Sequence, residues 1–302
     1  MKRLSKVSLL VVLAVAITFG LVGLVRAATT TVNLGTADRF AILAGTEVTN
    51  VPDSAIIGDV GLSPAAGSNY AGLTATEVAG KIYDVDGTGP AGSVENPALL
   101  TSAKNDLTAA YLDAAGRTPF TTLPGDDNQL GNRTLFPGVY RFGGADNANL
   151  TGTLTLDPNG DPDPMWIFQA TSNLVTASSS NIVLLGDATP CDVFWQVTSS
   201  ATLGSDSIFK GTILALTSIT LAARVNVEGK LLARNGNVTL IQDTITSTIC
   251  AVPSTPMPYT GIAADEKGTP WNTAILAGIF TVSILFTALI LFKVARRKKQ
   301  TS

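Results

Sequence analysis

The 302-residue chain contains no histidine and only two cysteines, and aromatic residues make up 6% of it. Without histidine it cannot build a Ser-His-Asp triad, a Cys-His pair or a histidine metal site. Few aromatic rings also leave little material for the flat platforms on which enzymes and lectins hold sugars. We therefore expect that the protein is not an enzyme and that it has no catalytic residues, no metal site and no cofactor.

Basic residues are scarce between the two ends of the chain. Nine of the 20 lysines and arginines lie in residues 1–27 and 293–302, and none of the 23 acidic residues does. The remainder carries 11 basic and 23 acidic residues, a net charge of −12. Because phosphate binding needs a basic surface, we expect no nucleic-acid partner.

Long hydrophobic runs occur only near the termini. Residues 1–27 carry basic residues before an apolar run and end on Val25-Arg26-Ala27, a pattern typical of a cleaved signal peptide, with an uncleaved anchor as the alternative. Residues 274–292 are uncharged and long enough to span a bilayer, and residues 293–302 form a basic tail expected in the cytoplasm. We therefore expect an exported protein whose body lies outside the cell, held by a C-terminal transmembrane helix.

A short motif precedes the apolar span. Met257-Pro258-Tyr259-Thr260-Gly261 resembles the LPxTG signal of wall-anchored surface proteins, which a sortase cleaves between threonine and glycine. Methionine replaces the first leucine, and residues 262–273 separate the motif from the span. Two partner sets therefore stay open: a sortase and the cell wall, or the membrane alone. In both, residues 252–273 are a proline-rich linker.

Four runs of similar length follow one another between residues 168 and 246. When residues 168–185, 195–214, 215–232 and 233–246 are aligned, Thr176, Thr202, Thr220 and Thr239 share one column. Such coils cannot bury their apolar sides alone, so they stack, with neighbouring strands ~4.8 Å apart. The pattern predicts a β-solenoid domain over residues 28–251.

Two helices are predicted before the repeats. Thr74 to Glu77 reads as a capping box that opens a short helix ending near Ile82. The longer helix begins after Asn96, has Pro97 in its first turn and ends near Gly116. Its apolar residues keep helical spacing on one side, so we expect it to cover one side of the solenoid and close that side to ligands.

The two cysteines, Cys191 and Cys250, lie at the edges of the repeats. An exported domain permits a disulfide between them. Two to three coils separate them, however, so that the bridge requires connecting loops that bend inward. A disulfide and two separate thiols both stay open.

Several blocks of the chain resemble the DUF3494 ice-binding-like proteins. They are FAILA at 40–44, IGDVGLSP at 57–64, LFPGVY at 135–140, VFWQV at 193–197, KGTILA at 210–215 and LARNG at 232–236. The resemblance implies a mainly β fold, a discontinuous right-handed solenoid of triangular section with one long helix alongside. It also implies a secreted or anchored protein whose partner is the ice crystal surface, with no catalysis and no cofactor. An ice-inactive adhesin or a carbohydrate-binding solenoid is the alternative.

The resemblance also implies a short motif on the binding face of consecutive coils. Active relatives often carry Thr-Ala/Gly-x-Thr/Asn there, which aligns with residues 178–181, 204–207, 222–225 and 241–244; Arg224, Val225 and Gln242 depart from it. Side chains alternate along a strand, so we expect one alternating subset of the candidates to point outward. The candidate ice-contacting residues are Thr176, Ser178, Ser180, Thr202, Ser205, Ser207, Thr220, Thr239 and Thr244.

Overall fold

The computed structural model describes residues 30–123, 128–142, 147–248 and 250. This part of the chain is mainly short parallel strands with one α-helix, α1 (Pro97–Gly116), as predicted. No helix within it is both long and apolar enough to cross a membrane. The predicted signal peptide, linker, sorting motif Met257 to Gly261, apolar span and basic tail lie outside the described residues.

The strands pair in three parallel ladders. The helix-side ladder contains Val94–Glu95, Ile82–Asp84, Asp59–Leu62, Phe40–Ala44, the second halves of Asn226–Ala233 and Ile208–Ala215, Val193–Val197, Trp166–Ala170, Gly138–Phe142 and Thr121–Thr122. The second ladder contains Ala148–Leu150, Leu174–Thr176, Ala201–Leu203, Ile219–Leu221, Val238–Ile241, Val48–Val51 and Tyr70–Ala71. The third ladder contains Arg133–Leu135, Thr153–Leu156, Asn181–Leu184, the first halves of Ile208–Ala215 and Asn226–Ala233, Thr244–Thr246, Ala55–Ile57 and Val78–Ala79.

The stack is not built in chain order. Phe40–Ala44 pairs with Asp59–Leu62 on one side and with Asn226–Ala233 on the other. After the first strands the chain passes through α1, and the later strands return along the stack until they reach the first one. Residues from the two ends of the described chain therefore become neighbours on the same ladders.

Helix α1 packs on the helix-side ladder, as its apolar stripe predicts. The Asn96 side chain accepts a hydrogen bond from the Leu99 backbone N–H at 3.1 Å and so caps the first turn. The buried side of the helix contributes to one cluster with ladder residues including Leu43, Phe194 and Leu214. The helix residues in this cluster are Leu100, Ala103, Leu107, Ala110, Tyr111 and Ala114. This side of the strand stack is closed to ligands.

The predicted short helix after Thr74 is wrong. The capping box forms, but it closes a single 3-10 turn, Ala75–Glu77, and the strand Val78–Ala79 follows at once. Val78 is buried in the core and pairs with Ile56 of the third ladder. Pairing and burial outweigh the local preference for continuing the helix.

A second cluster fills the space between the ladders. It includes a row of aromatic rings, with Phe168 and Trp195 stacked at a centroid distance of 4.0 Å. Tyr140 and Phe142 extend the row on one side of Phe168, and Phe209 extends it on the other side of Trp195. Inward side chains of neighbouring strands therefore stack on one another and support the ladders with a close-packed core.

Candidate functional site

A row of threonines runs along the outside of the second ladder. Thr202 pairs with Thr220, Thr220 with Thr239, and Thr239 with Thr49. Parallel pairing in register places equivalent side chains ~4.8 Å apart along the stack. We call these four residues the threonine rank. It is continued by Val175 and Asn149 at one end and by Ala71 at the other.

The alternation of side chains decides which residues point outward. In the strands of the rank, the residues on either side of each threonine are buried, whereas Thr202 is exposed and the other three are half-buried. These inward residues are Ala201, Leu203, Ile219, Leu221, Val238, Leu240, Val48 and Asn50. The expected alternating subset therefore exists, and its outward members among the candidates on this ladder are Thr202, Thr220 and Thr239.

The strands of the rank are uncharged, and the half-buried Glu47 lies just before them, two positions ahead of Thr49. The described strands of the second ladder contain no Asp, Glu, Lys or Arg. Small or branched apolar residues lie two positions after Val175 and after each threonine of the rank. In the order of the stack they are Ala177, Gly204, Ala222, Ile241 and Val51. The ladder thus presents hydroxyl groups beside small apolar side chains on one regular surface.

Three of the candidate residues do not face solvent. Thr176, Ser180 and Ser207 are buried, with exposed fractions of 4%, 2% and 1%. Thr176 Oγ1 accepts a hydrogen bond from the Gly204 N–H at 3.0 Å, and Ser207 Oγ donates to the Gly204 carbonyl oxygen at 2.6 Å. The sequence alignment was one residue out of register in the coil of Thr176, where Val175 occupies the outward position.

The residues that align with the family motif lie at the turn between the second and third ladders. Ser179, Asp206, Arg224 and Gln242 all have positive φ, from 57° to 61°, and begin the bend into the next strand. Arg224 forms an ion pair there with Asp206, with Nε and Oδ1 2.8 Å apart. Ser178 and Ser205 also lie on this turn, and Val225 is buried. Arg224, Val225 and Gln242 therefore do not interrupt the threonine rank.

Thr49 is the member of the rank that sequence reasoning missed. It precedes the repeats by more than a hundred positions and is brought beside Thr239 only because the later strands return to the first. The candidate Thr244, in contrast, is exposed on the third ladder and pairs with Asn226 and Ala55. It does not belong to the surface of the rank.

The outward surface of the third ladder is mixed in character. Lys210 and Glu228 form an ion pair across neighbouring strands, and Ile208 and Ile57 are exposed. Charged side chains hold liquid water strongly and extend irregularly from a sheet. Of the two ladders that α1 leaves uncovered, only the second therefore has described strands that are regular and free of charged residues.

A buried carboxylate supports the turn beneath the surface of the second ladder. Asp243 is 1% exposed, and its oxygens accept hydrogen bonds from the backbone N–H groups of Val225 and Ile241, both at 2.7 Å. Burial raises the pKa of Asp243 to about 6, and the two hydrogen bonds oppose the shift. No group of three metal-ligating side chains is placed to hold an ion within the described residues.

Cys191 and Cys250 form a disulfide, with their Cα atoms 5.5 Å apart. Cys191 belongs to a 3-10 turn, Pro190–Asp192, that leads into the helix-side ladder. Cys250 follows Thr248, whose carbonyl oxygen accepts a hydrogen bond from Lys230 Nζ at 2.7 Å. The last described residues are therefore fastened between the third and helix-side ladders and not at the second.

Comparison with known proteins agrees with this architecture. The family model described as "Ice-binding-like" matches residues 42–246. An ice-binding protein of Nostoc sp. (strain HG1) is 43% identical over 208 residues, covering 68% of this chain and 71% of that protein. One of Flavobacterium frigoris (strain PS1) is 39% identical over 215 residues, covering 71% and 76%.

Solved structures of ice-binding proteins are also similar to this chain. The structure of an ice-binding protein from an Arctic yeast, described for its antifreeze activity, superposes with a TM-score of 0.66 at 32% identity and covers 74% of this chain and 96% of that one. The DUF3494 domain of a Shewanella frigidimarina ice-binding protein gives 0.65 at 31% identity, covering 73% and 98%. The chain therefore belongs to the ice-binding-like family.

Proposed function

We propose that the chain adsorbs to ice through the outer surface of the second ladder, with the threonine rank at its centre. The observation that carries the proposal is the register of Thr202, Thr220, Thr239 and Thr49 on four adjacent strands. Relatives named as ice-binding proteins from several organisms support it. No catalytic step is part of the proposal.

The physical basis of the proposed adsorption is the match between the regularly spaced threonines and the regular lattice of ice. Each hydroxyl holds a water molecule at a repeated position, and the apolar groups beside it shape the water between the threonines. Because the ladder is rigid before it meets ice, little conformational entropy is lost on contact, and each added coil multiplies weak contacts. An irregular or charged surface lacks this property.

A substitution at the centre of the rank tests the face. Thr220→Tyr projects a large ring from a position flanked on both sides by threonines, so we expect loss of ice-crystal shaping and of thermal hysteresis. The matched control is Thr155→Tyr, at an outward position of the third ladder. Both should unfold like the parent to within about 0.5 kcal/mol, because neither residue is in the core.

The outcome of this experiment distinguishes three hypotheses. Loss of ice shaping in T220Y alone supports the proposed face. Equal ice shaping by T220Y and the parent would show that another surface binds ice. No ice shaping by the parent, together with retention on insoluble polysaccharide, would favour the carbohydrate-binding adhesin.

We also propose that the three ladders are the sides of a right-handed β-solenoid of triangular section. Parallel pairing in all three ladders and the closed core between them support this arrangement. Small-angle X-ray scattering of residues 28–251 alone should give the profile of a short prism. A flat, extended profile would contradict it.

The exported location and the anchor are further parts of the proposal. They rest on residues 1–27, the apolar span 274–292 and the basic tail, and the disulfide suits an oxidising compartment. Deleting residues 274–302 should release the protein into the medium. Thr260→Ala should move a sortase substrate from the wall fraction to the membrane fraction, and unchanged fractionation would leave the membrane helix as the anchor.

A further inference from the structure

We propose that a row of asparagine and serine side chains beside the threonine rank is a positioning element for ice binding, which sets the spacing of the coils and the direction of a rank hydroxyl. The inference rests on the proposed function and names residues of the same surface. We call this row the polar row: Asn147, Asn173, Ser200, Ser218 and Asn237. Each stands two positions before Asn149, Val175 or a rank threonine.

The polar row is continuous along the stack. Asn173 Nδ2 donates to Asn147 Oδ1 at 3.0 Å, and Asn173 Oδ1 accepts from the Ser200 backbone N–H at 3.2 Å. Ser200 Oγ accepts from the Ser218 N–H, and Ser218 Oγ accepts from the Asn237 N–H, both at 3.3 Å. Thus the side-chain oxygen of one coil receives a backbone N–H of the next at three successive steps.

These bonds occur where the chain turns into the second ladder. At this turn the N–H groups of Ser200, Ser218 and Asn237 have side-chain acceptors in place of the carbonyl acceptors of the ladder. Because a backbone N–H that is partly shielded from water needs a hydrogen-bond acceptor, each coil is held to its neighbour by a directional contact immediately before its threonine. Shifting one coil along the stack breaks the row at that step.

The coils also approach closely at the row. A Cβ atom at Gly236 would lie 2.4 Å from Ser218 Oγ and 2.6 Å from the Thr217 carbonyl oxygen. Only glycine permits this approach, and it brings the Asn237 N–H within reach of Ser218. The spacing is therefore determined by backbone contact on one side and by the polar row on the other.

The end of the row acts on the rank itself. Asn237 Nδ2 donates to Thr239 Oγ1 at 3.0 Å. Because this oxygen accepts from the amide, the hydroxyl hydrogen is free to point away from the protein toward ice. Asn237 thereby selects one Thr239 rotamer and one hydroxyl direction.

Ser218 gives the cleanest test. Ser218→Ala removes the acceptor for the Asn237 N–H, and Ser218→Asn restores an acceptor of the kind that Asn173 provides. Thr217→Ala, at an exposed neighbouring residue of the same turn, is the control. The full chain of each variant is compared in thermal hysteresis, in unfolding midpoint and, by NMR, in Asn237 amide exchange. Asn237→Ala is added to follow the χ1 rotamers of Thr239.

We expect Ser218→Ala to lose ice activity and protection of the Asn237 amide, Ser218→Asn to regain both, and Thr217→Ala to resemble the parent. Asn237→Ala should lose the single Thr239 rotamer. The inference is overturned if Ser218→Ala unfolds earlier yet keeps full ice activity, because the row is then only structural. It is also overturned if Ser218→Asn does not restore activity, or if Thr239 keeps one rotamer in Asn237→Ala. Inactivity of the parent would instead remove the proposed function, and this inference with it.

Discussion

At the scale of single residues, the direction of a side chain decides whether it can take part in the surface. Thr176 and Thr202 share a column in the sequence alignment, yet one is 4% exposed and the other points to solvent. A shift of one residue reverses the direction of every side chain in a strand. Hydroxyl content alone therefore does not identify the contacting residues.

Arg224 illustrates the same point. In the sequence Arg224 departs from the family motif, which would place a charge on the binding surface. In the structure Arg224 lies on the turn, at φ 61°, beside Asp206. Threonine is β-branched and unfavourable at positive φ, so Arg224→Thr introduces backbone strain without clearing the rank.

We expect Arg224→Gly to keep the ice activity of the parent. Glycine adopts positive φ without strain, and the ion pair that it removes is exposed to solvent, so its contribution to stability is small. Thermal hysteresis and denaturant unfolding measure the two effects, with Gln242→Gly, at φ 57°, as the matched turn variant. A large gain of activity in Arg224→Gly would show that the charge does disturb the binding surface.

Asp243 predicts a pH dependence of stability. Burial raises its pKa in the folded state from 3.8 to about 6. Between about pH 4 and pH 6 the folded protein therefore holds a proton that the unfolded chain has released, so the free energy of unfolding falls as pH rises through this window. The contribution of Asp243 to this fall is at most about 3 kcal/mol.

Asp243→Ser isolates this contribution, because Ser54, Ser180 and Ser207 hold the equivalent turn position in other coils. Denaturant unfolding at pH 4.5, 6 and 7.5 should show a pH-dependent difference between parent and variant. A difference that stays constant across these pH values would contradict the raised pKa.

At the scale of elements, helix α1 depends on the ladder beneath it for its last turn. The Gln169 side-chain amide donates to the carbonyl oxygens of Ala114, Ala115 and Arg117, at 2.9, 3.2 and 3.0 Å. These carbonyls have no partner within the helix, since the helix ends there. A glutamine of the strand Trp166–Ala170 thus takes the place of a C-terminal cap.

Replacing Gln169 by alanine should lower the free energy of unfolding by about 1–3 kcal/mol, because the buried carbonyl oxygens lose their donor. Leu112→Ala, on the exposed side of the helix, is the control and should change it by less than about 0.5 kcal/mol. Equal effects of the two substitutions in urea unfolding would show that Gln169 does not cap the helix. Ice activity should be retained in both, because the helix covers a different ladder.

At the scale of the whole molecule, the disulfide links the last described residues to the middle of the stack. Cys191 and Cys250 are separated by 59 positions, and the bond restricts the unfolded chain by closing this loop. In a chain-entropy model, a closure of this length stabilises the fold by about 4 kcal/mol.

The double substitution Cys191→Ser/Cys250→Ser should lower the free energy of unfolding by about 2–5 kcal/mol. Parent protein treated with a reductant should unfold at the same denaturant concentration as the double variant. Ice activity at low temperature should persist, because neither cysteine adjoins the threonine rank. Unfolding that is independent of the reductant would contradict a stabilising role.

The sequence by itself determined the main elements, apart from the short helix predicted after Thr74, and the family of the chain. Asn96 and Pro97 define where α1 begins, and the spacing of its apolar residues defines the side that packs. The four repeated runs, aligned on their threonines, predict stacked parallel strands. These features are local or periodic, so they can be recognised from the sequence alone. Two of the family blocks, FAILA at 40–44 and VFWQV at 193–197, coincide with strands of the helix-side ladder.

Only the tertiary structure decided which residues form the candidate surface. Whether Val175 or Thr176 points outward depends on where each coil bends, which similar Ser- and Thr-rich turns do not reveal. The neighbourhood of Thr49 and Thr239 depends on strands that return from the far end of the stack. Both are properties of non-local pairing: side-chain direction has a period of two residues, and pairing between distant strands leaves no periodic trace in a single sequence.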